Sequence, residues 1–245
     1  MKHFRALWRA WRVVVHVLWG ALQIVLDFPR RSQEQRDLRV QLWAARALVC
    51  LGVELRIAGT PPVAGPLLLV ANHISWLDIV VLHAAHHCRF VSKDDVQHWP
   101  LVGILATGAG TLYVKRTSRR DAMRVVHNMV QALQNGDILA IFPEGTTSNG
   151  HALLPFHANL LQAAISAPAD VQPVALAYHD GQSAGASQAM SYVGDESLLG
   201  SVWRTMGAKG LCATVVFGNA QTALGRDRRT WAHELRNTIN ELRQC

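Results

Sequence analysis

His73 and Asp78 are the pair in this sequence best suited to moving a proton. They stand five positions apart in the stretch NHISWLD, directly after the apolar run LLLVA. In a continuous helix that spacing would set them about 140° apart, too far round the axis to meet. A strand–loop–helix turn removes the difficulty. His73 would sit in the loop and Asp78 in the first helical turn, where its carboxylate can hold the imidazole in one tautomer. The other ring nitrogen is then left to act as a base. Ser75 and Asp78 also fit a helix cap, Ser-x-x-Asp, but a cap leaves His73 unexplained.

A second stretch, FPEGTTS at 142–148, sets a turn of Pro143, Glu144 and Gly145 ahead of the hydroxyls of Thr146, Thr147 and Ser148. A third, GTLYVKR at 110–116, ends a short apolar run on two cations, and a guanidinium at Arg116 could hold a phosphate in a bidentate fork. Arg119, Arg120 and Arg124 beyond it read as a solvated helix start. Two further patterns carry less. GQSAG at 181–185 matches the G-x-S-x-G nucleophile elbow and would make Ser183 a hydrolase nucleophile, but His179 and Asp180 intervene after the strand and no HGGG-type stretch lies upstream. His83, His86 and His87 have helical spacing without the H-E-x-x-H arrangement of a zinc site, so no metal is expected.

Positioning these groups needs strands that end beside one another. Strand-like runs fall at 67–71, 89–92, 111–114, 138–142, 171–177 and 212–217. Helical patterns alternate with them at 76–86, 121–134, 156–167 and 229–243. This alternation predicts an α/β fold, a largely parallel central sheet flanked by helices, with its chemistry on loops at the carboxyl ends of strands.

Ahead of that body lies a different kind of sequence. Residues 1–46 carry nine Lys/Arg against three Asp/Glu, whereas residues 47–245 carry fifteen against fourteen. The basic charge belongs to a head, not to a patch on the body, which argues against nucleic acid as a partner. Residues 13–28, VVVHVLWGALQIVLDF, form an apolar run with cations on both flanks, and no small-x-small cleavage site follows. A second run covers 42–53. Together they predict an N-terminal helical membrane-associating hairpin over residues 1–54, ahead of an α/β domain at 55–245; the alternative is a pair of amphipathic helices that cover the body's core. Trp8, Trp11, Trp19 and Trp43 would be its headgroup anchors on an anionic surface. No stretch of eighteen uncharged apolar residues occurs, which excludes a polytopic membrane protein. Four scattered cysteines without a C-x-x-C pair suit a reducing compartment.

Taken together, Asn72–Asp78, Gly110–Arg116, Phe142–Thr146 and the Pro173-Val174 pair resemble the four ordered motifs of the lysophospholipid acyltransferases, the group that contains the 1-acylglycerol-3-phosphate O-acyltransferases. The resemblance covers about half the chain, residues 55–180. It implies that His73 is the general base on a glycerol hydroxyl and that Asp78 orients it. It implies that Asn72, Arg116, Glu144, Gly145 and Thr146 serve substrate binding, with Arg116 on the acceptor's polar head. The acyl donor would be acyl-CoA or an acyl-carrier protein, attacked directly with no cofactor, and the acceptor a lysolipid. The place of action would be the cytoplasmic face of the cell membrane, peripheral or monotopic. One departure matters. Relatives acting on lysophosphatidic acid often continue FPEGT with arginine, where this chain has Thr147. The stretch EGTTSNGHALLPF also resembles lyso-ornithine lipid acyltransferases, whose acceptor carries no phosphate.

Overall fold

The structure, a computed structural model, describes residues 2–114, 119–181 and 185–244. In chain order the elements are α1 (Lys2–Leu26), α2 (Gln33–Leu51), β1 (Val53–Gly59), β2 (Leu67–Ala71), α3 (Leu77–Ala85), β3 (Arg89–Lys93), α4 (Val102–Gly108), β4 (Leu112–Val114), α5 (Arg119–Gln134), β5 (Ile138–Ile141), α6 (Gln162–Ser166), β6 (Asp170–His179), α7 (Leu198–Gly207), β7 (Leu211–Phe217) and α8 (Arg228–Leu242). The strands form one seven-stranded sheet in the order β1-β7-β6-β2-β5-β3-β4. Five of them, from β6 to β4, run parallel; β7 is antiparallel to β6, and β1 follows β7.

The sheet is covered on both faces, and β2 shows why its sequence is apolar without alternation. Leu67, Leu69 and Ala71 enter one core, while Leu68 and Val70 enter the other. A strand buried on both sides has no polar face to offer. Residues from α2, α3 and α7 line the first core, and residues from α5, α6 and α8 line the second.

The head is packed into this body. Ala6 of α1 and Ala44, Leu48 and Leu51 of α2 belong to the first core. The two helices meet closely at Gly20, where an added Cβ would lie 2.3 Å from the Trp43 indole nitrogen. Trp43 donates to the His16 carbonyl at 3.2 Å, and the two rings stack at 4.9 Å. The expectation that Trp43 is a headgroup anchor is therefore corrected: its ring is a helix–helix contact. Trp8, Trp11 and Trp19 are exposed.

Three other expectations meet a physical reason to change. No strand is expected near residue 53, where the sequence shows only the end of an apolar helical run. β1 begins there as an edge strand whose residues are mostly exposed, so it lacks the apolar signature of β2. The helix expected over 156–167 shrinks to a 3-10 turn and the short α6, because the His157 amide leaves the helix path to donate to the Pro143 carbonyl at 2.8 Å. Ser75 does not cap α3. Its amide donates to Asp78 instead, and its hydroxyl is buried without a partner.

Candidate active site

β2 lies between β5 and β6, so the loops leaving β2 and β5 emerge side by side. In register, Val70 faces Ile141 and Ala71 faces Val174. The next residues along, Asn72–Asp78 and Phe142–Ser148, are thereby brought together from positions about seventy apart in sequence.

His73 Nδ1 and Asp78 Oδ2 are 2.6 Å apart. The same oxygen accepts the Ile74 and Ser75 amides at 2.6 and 3.0 Å, and Oδ1 accepts the Tyr178 hydroxyl at 2.5 Å. Asp78 is fully buried, and its charge is met by these four donors. Burial first, and then the neighbouring Asp78 carboxylate, push the Tyr178 phenol well above its usual range, so it stays a donor. The His73 ring stacks on Phe142 at 4.1 Å and 7°, and its side chain keeps 20% of its surface open. With Nδ1–H given to the carboxylate, Nε2 carries the lone pair.

The main chain of His73 is held as firmly as its ring. Its amide donates to Glu144 Oε1 at 2.7 Å, and its carbonyl accepts the Ser148 amide at 2.8 Å. Glu144 Oε2 accepts the Leu154 amide at 2.9 Å. Burial raises the Glu144 pKa, while the two amide donors oppose the shift. The Asn72 side chain bridges to β6, donating to the Leu176 carbonyl at 3.0 Å and accepting its amide at 2.7 Å.

These contacts give Asn72 and Glu144 a further part beside the one expected from sequence. Asn72 is 0% and Glu144 3% exposed, and both spend their polar atoms on backbone groups. In this arrangement both side chains brace the loop that carries His73. Gly145 and Thr146 are exposed at the turn beside His73. Gly145 sits at φ +72°, a conformation that favours glycine, with the His157 ring 3.2 Å from where a Cβ would be. Arg116 lies outside the described residues, as does Ser183. Sequence reading missed Tyr178. It stands four positions after Val174 on β6, and only the register of β6 against β2 places it under Asp78.

The three histidines on and after α3 do not form a metal cluster. His83 and His87 stack at 5.3 Å, while His86 Nδ1 donates to the His87 carbonyl at 2.7 Å. Among the described residues, no group of three or more His, Cys, Asp or Glu could hold a metal ion.

Residues 53–177 match the family model described as Acyltransferase, and this span contains all four motifs. The chain belongs to the acyltransferase family. A lyso-ornithine lipid O-acyltransferase of Pseudomonas aeruginosa is 41% identical over 172 residues, 70% of this chain and 65% of that protein. A 1-acyl-sn-glycerol-3-phosphate acyltransferase of Neisseria gonorrhoeae is 38% identical over 173 residues, 70% of this chain and 67% of that one. The crystal structure of the 1-acyl-sn-glycerophosphate (LPA) acyltransferase PlsC from Thermotoga maritima shares the fold at TM-score 0.73 and 18% identity, covering 100% of this chain and 99% of the other. As an acyltransferase, the chain carries its His–Asp pair where a parallel sheet presents chemistry, at a strand's carboxyl end.

Proposed function

We propose that this acyltransferase moves a fatty acyl group from acyl-CoA or an acyl-carrier protein to the sn-2 hydroxyl of 1-acylglycerol 3-phosphate, giving phosphatidic acid. The observation that carries the chemistry is the 2.6 Å contact between His73 Nδ1 and a fully buried Asp78. His73 Nε2 takes the proton of the acceptor hydroxyl as its oxygen attacks the thioester carbonyl. The tetrahedral intermediate collapses, the C–S bond breaks, and the departing thiolate takes the proton back from His73. Asp78 holds the imidazolium through the cycle, and Tyr178 holds Asp78. A thioester is already activated, so this route needs no metal or redox group. Arg116 would take the acceptor's phosphate, beside Gly145 and Thr146.

The same reading places α1 and α2 on the cytoplasmic face of the membrane and makes the sheet that begins at Val53, with its covering helices, the catalytic unit; the boundary expected after residue 54 moves back to the start of β1. Phe4, Trp8, Trp11, Val15, Leu18 and Leu22 recur along α1 at spacings of three and four and are all exposed. Such a stripe suits an acyl-chain boundary. By length and composition α1 could cross a bilayer. Its Arg5 and Arg9 side chains instead donate to the Gly207, Met206 and Ala208 carbonyls at the end of α7, at 2.7–3.1 Å. A helix tied along the domain in this way lies in the interface.

A second acceptor is favoured by Thr147, which stands where a cation would assist a phosphate, and by the lyso-ornithine lipid O-acyltransferase relative. Purified protein offered labelled acyl-CoA or acyl-carrier protein with either lysolipid decides between them. Transfer to lysophosphatidic acid that is lost in His73→Ala supports the first reading. Transfer to lyso-ornithine lipid alone replaces the acceptor and keeps the mechanism. Transfer unchanged in a folded His73→Ala protein would falsify the mechanism itself.

A further inference from the structure

Between α1 and α2 runs a groove of about 360 Å³ that the catalytic reading does not use. Its floor is the stacked His16–Trp43 pair, fixed by the Trp43 indole donating to the His16 carbonyl and by a 2.9 Å contact of His16 Nε2 with the Trp43 carbonyl. Its apolar lining is Trp19 from α1 with Leu38 and Leu42 from α2, all three exposed. Its cationic lining is Arg31, Arg39 and Arg46.

The charge of this groove is out of balance. Arg31 and Arg39 share one carboxylate, Asp27, at 3.0 and 3.1 Å. Arg46 is exposed and has no acidic partner among the described residues. Three guanidiniums thus face one carboxylate. Leu38, Leu42 and Arg46 follow one another at spacings of four on α2, and Arg39 lies three before Leu42, so apolar and cationic groups share one sector of the helix. Arg39 and Arg46 are about 10 Å apart along the axis, a gap that two long side chains can close on a single anion. On the α1 side, Trp19 stands one and four residues from Leu18 and Val15 of the exposed stripe, so the groove opens at the stripe's border.

We propose that this groove binds one glycerophospholipid of the host bilayer, its phosphate held by Arg46 and Arg39 and its first acyl carbons laid along Trp19, Leu38 and Leu42. Guanidinium is the side chain suited to a bidentate grip on phosphate. A free phosphate would leave the apolar lining unmatched, and a purely apolar chain would leave the arginines unmatched. A phospholipid at the water–acyl boundary matches both. The inference rests on the membrane reading of α1, and it adds a stoichiometric site to a diffuse attraction.

The test uses the full chain. In nonionic detergent with phosphatidylglycerol, native mass spectrometry should show one lipid retained per wild-type chain. Arg46→Glu and the double variant Arg39→Gln/Arg46→Gln should each weaken retention at least about five-fold per charge removed. Arg30→Glu reverses a charge on the adjoining turn, outside the groove, and should retain the lipid. Equal losses in the charge-matched pair Arg30→Glu and Arg46→Glu would reduce the effect to general charge and overturn the site, as would displacement of the lipid by glycerol 3-phosphate at matched concentration. Flotation with phosphatidylglycerol vesicles separates the two levels. Wild type that fails to float overturns the membrane reading and the groove with it. Wild type that floats, with lipid retention unchanged in Arg46→Glu, overturns the groove alone.

Discussion

The loop after β2 and the helix α1 solve opposite problems. In the loop and the residues that frame it, the Asn72, Asp78 and Glu144 side chains are buried polar groups, and their hydrogen bonds end on the backbone, on the His73 ring or on the Tyr178 hydroxyl. Along α1, large apolar side chains stand in the open, and only Ala6, Gly20 and Ala21 are buried. The loop is determined from within, since an unpartnered buried polar group costs about 1–3 kcal/mol and admits few alternatives. The outer face of α1 is determined by what lies outside the polypeptide. The contrast predicts where substitutions stop chemistry, where they unfold the domain, and where they change only attachment.

The largest effect is expected at the ring whose Nδ1 is held by Asp78 and whose Nε2 carries the free lone pair. His73→Ala should lower acyl transfer by about 10²–10⁴-fold, the range of a positioned general base, with an unchanged circular dichroism spectrum. Next comes the loop's frame. Asn72→Ala strips partners from the amide and carbonyl of Leu176 at once, and should cost about 2–4 kcal/mol in chemical denaturation. If Asn72→Ala instead kept its stability and lost only substrate affinity, the side chain would belong to the binding surface after all.

The His73–Asp78 pair and the parallel sheet are legible in the sequence for definable reasons. The His73–Asp78 spacing makes sense only in a strand–loop–helix turn, and LLLVA has no polar face. Tyr178 is not legible, because its partnership with Asp78 spans 100 positions and depends on strand register. Asn72 and Glu144 stand out as residues, yet the sequence does not say what they bond. A motif marks where a side chain is needed, and here the need comes from the backbone of β6 and of the loop. Trp43 misleads because aromatic content near cations says nothing about which face a helix buries. β1 is hidden because an exposed edge strand gives no apolar alternation.

The contact between α3 and α2 should show itself in acid. His83 on α3 is buried, which lowers its pKa to about 3, and it stacks on His87, which faces Asp37 of α2 at 3.6 Å. A folded-state pKa below the unfolded value of about 6.5 means that the neutral ring's contribution is complete above about pH 6.5. It is lost as pH falls from there toward about 3, at about 1.4 kcal/mol per pH unit for the one proton. Urea titrations between about pH 7 and pH 5 should show this slope flattened in His83→Leu. An equal slope in both proteins would place the acid-sensitive group elsewhere.

Tyr178→Phe removes one donor from Asp78 and no packing volume of consequence. The expected loss in kcat is about ten-fold, the worth of one hydrogen bond to a charged group. A merely structural role would stop there. If Tyr178 positions the pair, the carboxylate it releases becomes a stronger partner for the imidazolium, and the acidic limb of the pH–rate profile should move to higher pH. A profile that falls in height without moving would leave Tyr178 as a packing residue.

The smallest effect belongs to the tie between the regions. Arg9 donates to the Met206 and Ala208 carbonyls at the end of α7, where carbonyls otherwise lack partners and the helix dipole favours a cation. Its removal in Arg9→Ala should cost about 0.5–1 kcal/mol, the size of a cation at a helix terminus. The place where that loss is felt matters more than its size. If α1 is held to the body by such contacts while its outer face waits for lipid, amide exchange in detergent-free solution should quicken along α1 in the variant. The amides of Ile74 and Ser75, bonded to Asp78, should keep their wild-type protection, because nothing in that loop depends on Arg9. Exchange that quickened equally in both would show one cooperative unit, and the opposite designs of the two regions would then be features of surface and not of folding.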